Sequence, residues 1–118
     1  MPRQNPFQKE QILRGIMTLL ILRFLSEQPM HGYSLQLDIS NTIKRELPQG
    51  TIYVLLKSLV RRGLITIYES GGERDKKSYT ITPKGVEFLR KHKEPLSIAR
   101  DIMDDLIAYI NGMAVPPE

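Results

Sequence analysis

The fold is decided by residues 50–82, which have the sequence GTIYVLLKSLVRRGLITIYESGGERDKKSYTIT. The first part predicts a helix that starts near residue 49 or 50 and ends at Arg62. Its apolar residues recur at i, i+3, i+4 and i+7, the spacing of one buried helix face. This core stripe consists of Ile52, Leu55, Leu56 and Leu59. Gly63 follows where a left-handed helix ending is needed, so the helix is predicted to end there.

The second part of this stretch predicts a β-hairpin. Residues 64–68 and 77–82 are rich in β-forming residues, and the latter alternate between apolar and polar. Gly71-Gly72 provides the turn between them, and the remaining tip residues are mostly charged. Thr82-Pro83 then predicts a helix start, with threonine as N-cap and proline at the first helical position.

Two further helices are predicted before this stretch. Residues 10–27 form the first, and the second runs from residue 31 or 32 to Glu46, where Pro48 is expected to stop it. The second and third helices are joined through Leu47-Pro48-Gln49, so they form a helix-turn-helix, and the hairpin behind them makes it a winged helix. The first helix is apolar around nearly its whole circumference, which favours burial either in its own core or against a second subunit.

The C-terminal part predicts one more helical region. From Pro95 to Ile110, apolar residues repeat at near-heptad spacing, and Asn111-Gly112 ends the pattern. The residues leave open whether 83–111 form one kinked helix or two. We expect a winged-helix domain over 8–93, a C-terminal helix over 94–112, and flexible termini at 1–7 and 113–118.

Composition excludes several classes of function. The chain has 118 residues, is 41% hydrophobic and 25% charged, and has no cysteine. It therefore has no thiolate metal site or cysteine nucleophile, and it shows no paired histidines, phosphate-binding glycine loop or nucleophile elbow. We expect that the protein is not an enzyme and that it binds neither a metal nor a cofactor. The absence of a signal peptide pattern and of a 20-residue apolar run predicts a cytoplasmic protein with no membrane partner.

The distribution of charge points to nucleic acid. Residues 41–93 hold twelve Lys/Arg and five Asp/Glu, whereas the rest of the chain holds five and eight, so a net charge of +7 contrasts with −3. Binding to the DNA backbone needs such a basic surface, because much of its affinity comes from the release of counterions. The alternative is a charged face that only keeps the protein soluble.

Four segments give the chain a resemblance to a known family. They are Pro29-Met-His-Gly-Tyr-Ser-Leu35, Gly50-Thr-Ile-Tyr-Val-Leu-Leu-Lys-Ser-Leu59, Arg62-Gly-Leu-Ile65 and Tyr79-Thr-Ile-Thr-Pro-Lys-Gly85. Together they resemble the PadR family of transcriptional regulators over about residues 10–93. The resemblance implies a dimeric winged-helix repressor of bacteria or archaea with a C-terminal dimerisation helix. The expected fold class is mainly α with a small β-hairpin, a winged helix-turn-helix plus that helix.

The residues expected to contact DNA share the start of the second helix, the outer face of the third helix and the wing. Tyr33 and Ser34 are assigned by the resemblance as well as by position. The full set is Tyr33, Ser34, Gln49, Gly50, Thr51, Tyr53, Lys57, Ser58, Arg61, Arg74, Lys76 and Lys77. Thr51 and Gln49 have N-capping of the third helix as an alternative role. For Gly50 the alternatives are close packing between helices and leaving room for the DNA backbone.

The expected dimer interface combines one face of the first helix with the C-terminal heptad. It consists of Ile12, Ile16, Leu20, Leu96, Ala99, Ile102, Met103, Leu106 and Ile110. Two alternative functions share the same fold. One is a winged-helix interaction module that docks an acidic protein, and the other is a repressor released by an unidentified small molecule bound between subunits. The expected partners are therefore double-stranded DNA, a second copy of the chain and, under that alternative, the effector.

Overall fold

The computed structural model of the chain describes residues 12–48, 50–69 and 77–114. Within these residues the helices and strands are α1 Ile12–Glu27, β1 Met30–His31, α2 Gly32–Ile43, α3 Thr51–Arg61, β2 Ile65–Glu69, β3 Lys77–Ile81, α4 Pro83–Lys91 and α5 Lys93–Asn111. The predicted winged helix-turn-helix followed by a C-terminal helix is confirmed. The termini predicted to be flexible lie outside the described residues, except for residues 113 and 114.

The hydrophobic core lies between α1, α2, α3 and the sheet. Its fully buried side chains are Ile21, Leu22, Leu35, Ile39, Ile52, Leu56, Leu59, Leu64 and Ile65. The four-residue stripe predicted for α3 is buried as expected. Because α1 packs on α2, α4 and β3 of its own chain, the interpretation of α1 as a core helix holds for its second half. Ile16, nearer its start, stays 39% exposed.

The predicted end of α3 and the predicted start of α4 are confirmed, and a hydrogen bond connects the two segments. Gly63 has φ of +77°, and the Leu64 amide donates to the Leu59 carbonyl at 3.0 Å, the Schellman ending. The Gly85 amide donates to Thr82 Oγ1 at 3.0 Å, so Thr82 caps α4. The same hydroxyl donates to the Gly63 carbonyl at 2.7 Å. Thr82 therefore links the start of α4 to the end of α3 through these two hydrogen bonds.

A third strand was missed in the sequence. Only the two hairpin strands were predicted, but β1 pairs antiparallel with β3, giving the order β1-β3-β2. Met30 lies opposite Tyr79, and His31 lies opposite Ser78. Two residues carry no alternation pattern, so this strand exists through its distant partner and not through a local preference.

The predicted end of α2 at Glu46 was wrong. The helix ends at Ile43 because Lys44 adopts the left-handed conformation, with φ of +58°. The Arg45 amide then donates to the Ser40 carbonyl at 3.2 Å, the six-to-one bond of a Schellman ending. Pro48 therefore does not terminate α2. It lies in the connection to α3.

Lys44→Gly is expected to stabilise the protein by about 1 kcal/mol, because glycine adopts the left-handed conformation without the steric cost of a Cβ atom. Urea denaturation should show a higher midpoint with an unchanged slope. Lys44→Ala is the matched control, since it removes the same charge but keeps the Cβ atom, and should give no such gain. An equal gain for both variants would assign the effect to charge and contradict the backbone explanation.

The C-terminal region contains two helices, which answers the question that the sequence left open. They meet at His92, whose Nδ1 lies 2.8 Å from the Phe88 carbonyl oxygen. His92 is thus half-buried at the junction between the two helices. Pro95 does not break α5, because it lies in the first turn, where a helix needs no amide donor. The division into domains at residue 93 or 94 stays a prediction.

Candidate nucleic-acid interface

The outer face of α3 is exposed to solvent. Its inner stripe is anchored in the core, which leaves the opposite side of this amphipathic helix in solvent. Lys57 and Arg61 are exposed one turn apart on that side, and Thr51 and Ser58 are half-buried along its edge. No acidic residue occurs between Thr51 and Arg61. This face therefore offers two cations and two hydroxyl groups in a row.

The start of α3 is set by Gly50. This residue has φ of +95°, which disfavours any side chain, and its carbonyl accepts the Val54 amide at 3.0 Å. A Cβ atom built on Gly50 meets nothing within 4 Å, so its expected role in close helix packing was wrong. No side chain caps α3 at Gly50, and the capping role considered for Thr51 is not observed. Gln49 lies outside the described residues.

A cleft of about 720 Å³ lies beside α3, between α2 and the sheet. It gathers several sequence-predicted residues that are distant along the chain. Its lining comprises His31, Gly32, Tyr33, Ser34, Tyr53, Lys57, Val60, Ile67, Lys77 and Tyr79. No carboxylate is among them. The cleft thus continues the basic face of α3 towards the base of the wing.

Gly32 shapes the wall of this cleft. A Cβ atom placed on Gly32 would lie 2.6 Å from Cε1 of Tyr53, closer than atoms of this kind approach. The absence of a side chain therefore lets the Tyr53 ring lie against the start of α2. Below it, Tyr79 is buried, and its pKa is raised above the usual value mainly by that burial, with Tyr53 adding to the shift.

His31 joins the cleft to the base of the wing. Its Nδ1 lies 3.2 Å from the Lys77 carbonyl oxygen and 3.3 Å from Ser78 Oγ. His31 precedes α2 but makes no capping hydrogen bond with its side chain. The His31 side chain therefore contacts β3 and does not cap α2. Lys77 is exposed at this end of β3.

The remaining predicted wing contacts fall outside the described residues. These are Arg74 and Lys76, in the tip between β2 and β3. The structure brings Tyr33, Ser34, Tyr53, Lys57 and Lys77 into one cleft and leaves Thr51, Ser58 and Arg61 on the adjoining helix face. Their contact with DNA stays a prediction.

Two residues of this surface were missed in the sequence. Val54 lies on the outer face of α3 and is 55% exposed. Arg14 of α1 is exposed and lines a smaller cavity, about 170 Å³, together with Thr51 and Val54. Arg14 had a signal, because it interrupts the most apolar run of the chain. Val54 had one as well, because its spacing relative to the core stripe places it on the outer face of the helix with Thr51, Lys57, Ser58 and Arg61.

The residues expected to form the dimer interface are largely accessible. Ile16, Leu96, Ile102, Met103, Leu106 and Ile110 are between 39% and 59% exposed. Leu20 and Ala99 are half-buried, and the Ile12 side chain lies outside the described part. α5 has no buried residue along its 19 positions. The interface itself stays a prediction.

The described residues contain no group of three or more His, Cys, Asp or Glu side chains placed to hold a metal ion. Asp101, Asp104 and Asp105 are exposed on the polar side of α5. Within the same part of the chain, no helix combines the length and the apolar character that a membrane crossing requires.

Comparison with known proteins places this fold and surface in one family. The profile of the Transcriptional regulator PadR-like family matches residues 21–91, more than half of the chain. The chain belongs to the PadR-like family. Family membership makes it a transcriptional regulator and not an enzyme. It also confirms the resemblance seen in the four sequence segments.

Individual PadR-like and related proteins agree with this assignment. A candidate transcriptional regulator of Thermoplasma acidophilum is 42% identical, with a TM-score of 0.75 over 86% of this chain and 97% of that one. A PadR-like transcriptional regulator of Bacillus cereus is 28% identical, with a TM-score of 0.69 over 82% and 96%. Transcriptional regulator YqjI of Escherichia coli K12 is 33% identical over 74% of this chain, which spans 42% of that protein.

Proposed function

We propose that this PadR-like protein is a homodimeric, sequence-specific DNA-binding repressor that places α3 in the major groove and the wing on the backbone. The observation that carries the proposal is the continuous basic surface formed by the outer face of α3 and the adjoining cleft. Lys57 belongs to both parts, so the two form one surface. A helix-turn-helix presents its second helix to base edges, while neighbouring groups hold phosphates. We place this action in the cytoplasm.

The cleft has the chemistry of a phosphate-binding surface. Tyr33 is 64% exposed and Tyr53 is 42% exposed, so both hydroxyl groups are accessible. Lys57 and Lys77 supply positive charge from α3 and β3, and the described lining residues include no carboxylate. Hydroxyl and ammonium groups are common donors to DNA phosphates and fix the register of the protein on the duplex.

Binding to duplex DNA tests the function directly. Fluorescence anisotropy with a labelled random-sequence duplex should show affinity that falls about 100-fold or more between 50 and 200 mM salt, because each neutralised phosphate releases counterions. A single strand of the same length is the control and should bind more weakly. Absence of duplex binding at low salt would contradict the proposal and favour a module that docks an acidic protein.

The second copy of the chain would pack on α5. Leu96, Ala99, Met103, Leu106 and Ile110 follow the three-four spacing of a helical seam. In the described part of the protomer Ala99 is half-buried, and the other four are between 45% and 59% exposed. Such a contiguous exposed apolar face is characteristic of an interaction surface. A two-fold dimer would present α3 twice, about 34–36 Å apart, to two half-sites of one operator.

Replacing two seam residues by charges is expected to dissociate the dimer. Leu106→Asp with Ile110→Asp should weaken self-association about 100-fold or more, since burying each large apolar side chain is worth roughly 1.5–3 kcal/mol. Sedimentation equilibrium measures the dissociation constant, and circular dichroism checks that the protomer keeps its helices. Asp104→Ser with Asp105→Ser, on the polar side of α5, is the control and should remain dimeric. A double Leu106/Ile110 variant that stays dimeric would contradict the seam.

A further inference from the structure

Val54 is an apolar side chain in the middle of the basic surface of α3. It is 55% exposed. Thr51 lies one turn before it, and Lys57 and Ser58 lie one turn after it, on the same side of the helix. Arg61 follows one turn later. The one large apolar group on this outer row therefore lies between hydroxyl and cationic side chains, in the first half of the helix.

Val54 borders a small cavity beside Leu13 and Met17 of α1, but more than half of its surface remains in solvent, so packing accounts for only part of this side chain. α3 is already anchored by Ile52, Leu56 and Leu59, each no more than 1% exposed, on the opposite side of the helix. A β-branched residue at an exposed helical position lowers helix propensity relative to alanine. Its side chain is also stiff, because one χ1 rotamer dominates in a helix. Val54 thus presents a fixed apolar surface outwards, at little further cost in entropy on contact.

We infer that Val54 is a specificity-determining residue that recognises thymine through its C5-methyl group. The inference rests on the proposed function, in which this face of α3 enters the major groove. The thymine methyl is the apolar group that base edges present there, and a small aliphatic side chain is its natural contact. Residues in the N-terminal half of a recognition helix are the ones that reach base edges.

The experiment uses a double-mutant cycle between protein and DNA. The operator is first selected from random duplexes with the full-length protein, and each thymine is then replaced singly by uracil, which removes only the methyl group. We expect one position in each half-site where uracil weakens binding about threefold to fivefold, the size expected for burying one methyl group. Val54→Ala should bind the thymine and uracil duplexes equally at that position.

Val86→Ala is the matched control, because it makes the same truncation on α4, outside the proposed interface, and keeps Val54. It should retain the uracil penalty. Duplex binding that tolerates uracil everywhere, or a penalty that persists in Val54→Ala, would overturn the assignment of Val54 and leave DNA binding intact. Failure of the parent protein to bind any duplex would overturn the proposed function, and the role of Val54 with it.

Discussion

The double variant Lys57→Ala with Arg61→Ala is expected to lose about 100-fold or more of its affinity for duplex DNA while keeping its fold. Both side chains are exposed on α3, and no intramolecular ion pair is observed for either in the described part of the chain. Their removal therefore costs little stability. Each contact to a base edge or phosphate is worth roughly 1–3 kcal/mol. Each protomer of the dimer loses two such contacts. Anisotropy at fixed salt measures the loss.

A control with the same change in charge separates a local contact from a general electrostatic effect. Arg23→Ala with Arg100→Ala removes two cations from α1 and α5, where they lie beside Glu27 and Asp101. This variant should change affinity by no more than about threefold, since exposed charges farther than a Debye length from the DNA are screened. Equal losses of affinity for duplex DNA in both double variants would contradict the assignment of α3 to the interface.

Gly85→Ala is expected to produce the largest loss of stability, about 3 kcal/mol, and to lower the melting temperature by roughly 10 °C or more. A Cβ atom at residue 85 would lie 2.1 Å from the Leu64 carbonyl oxygen and 2.7 Å from Cγ1 of Ile81. The carbonyl belongs to the backbone, so a rotamer change cannot relieve the contact. α4 would have to move away from the sheet. Thermal denaturation followed by circular dichroism measures the effect.

Gly15→Ala provides the matched control in the same protein. A Cβ atom on Gly15 meets nothing within 4 Å, and the residue lies on an exposed part of α1. Alanine should therefore stabilise the protein by about 0.5–1 kcal/mol through its higher helix propensity. If Gly85→Ala melted at the parent temperature, the close packing of α4 against the segment between α3 and β2 would be wrong.

The features that were predicted correctly depend on short-range chemistry. The buried stripe of α3, the left-handed Gly63 and the Thr82 cap each follow from residues within two turns of one another. Helix periodicity and capping are local properties, so one sequence is enough to identify them. The same applies to Lys57 and Arg61, whose place on the outer face follows from their spacing relative to the core stripe.

The features that were missed depend on distant partners. β1 exists because Met30 and His31 pair with a strand almost 50 residues later. The cleft requires the Tyr53 ring to lie over Gly32, a contact between two helices that no local pattern encodes. Lys44 in the left-handed region was also missed, because lysine has no preference for that conformation. Tertiary structure decided the first two of these, whereas the Lys44 conformation belongs to a local helix ending.

The central claim, that α3 enters the groove of duplex DNA, is tested most directly by cleavage from a tethered reagent. The chain has no cysteine, so Ser58→Cys places an iron chelate at one position on α3, and Asp104→Cys places the same chelate on the polar side of α5. With α3 in the groove of each half-site, the label at residue 58 should cut the operator at two centres about 10 base pairs apart. The label at residue 104 should leave those positions uncut. Cutting from residue 104 at the same centres, or none from residue 58 in a complex that still forms, would contradict the account.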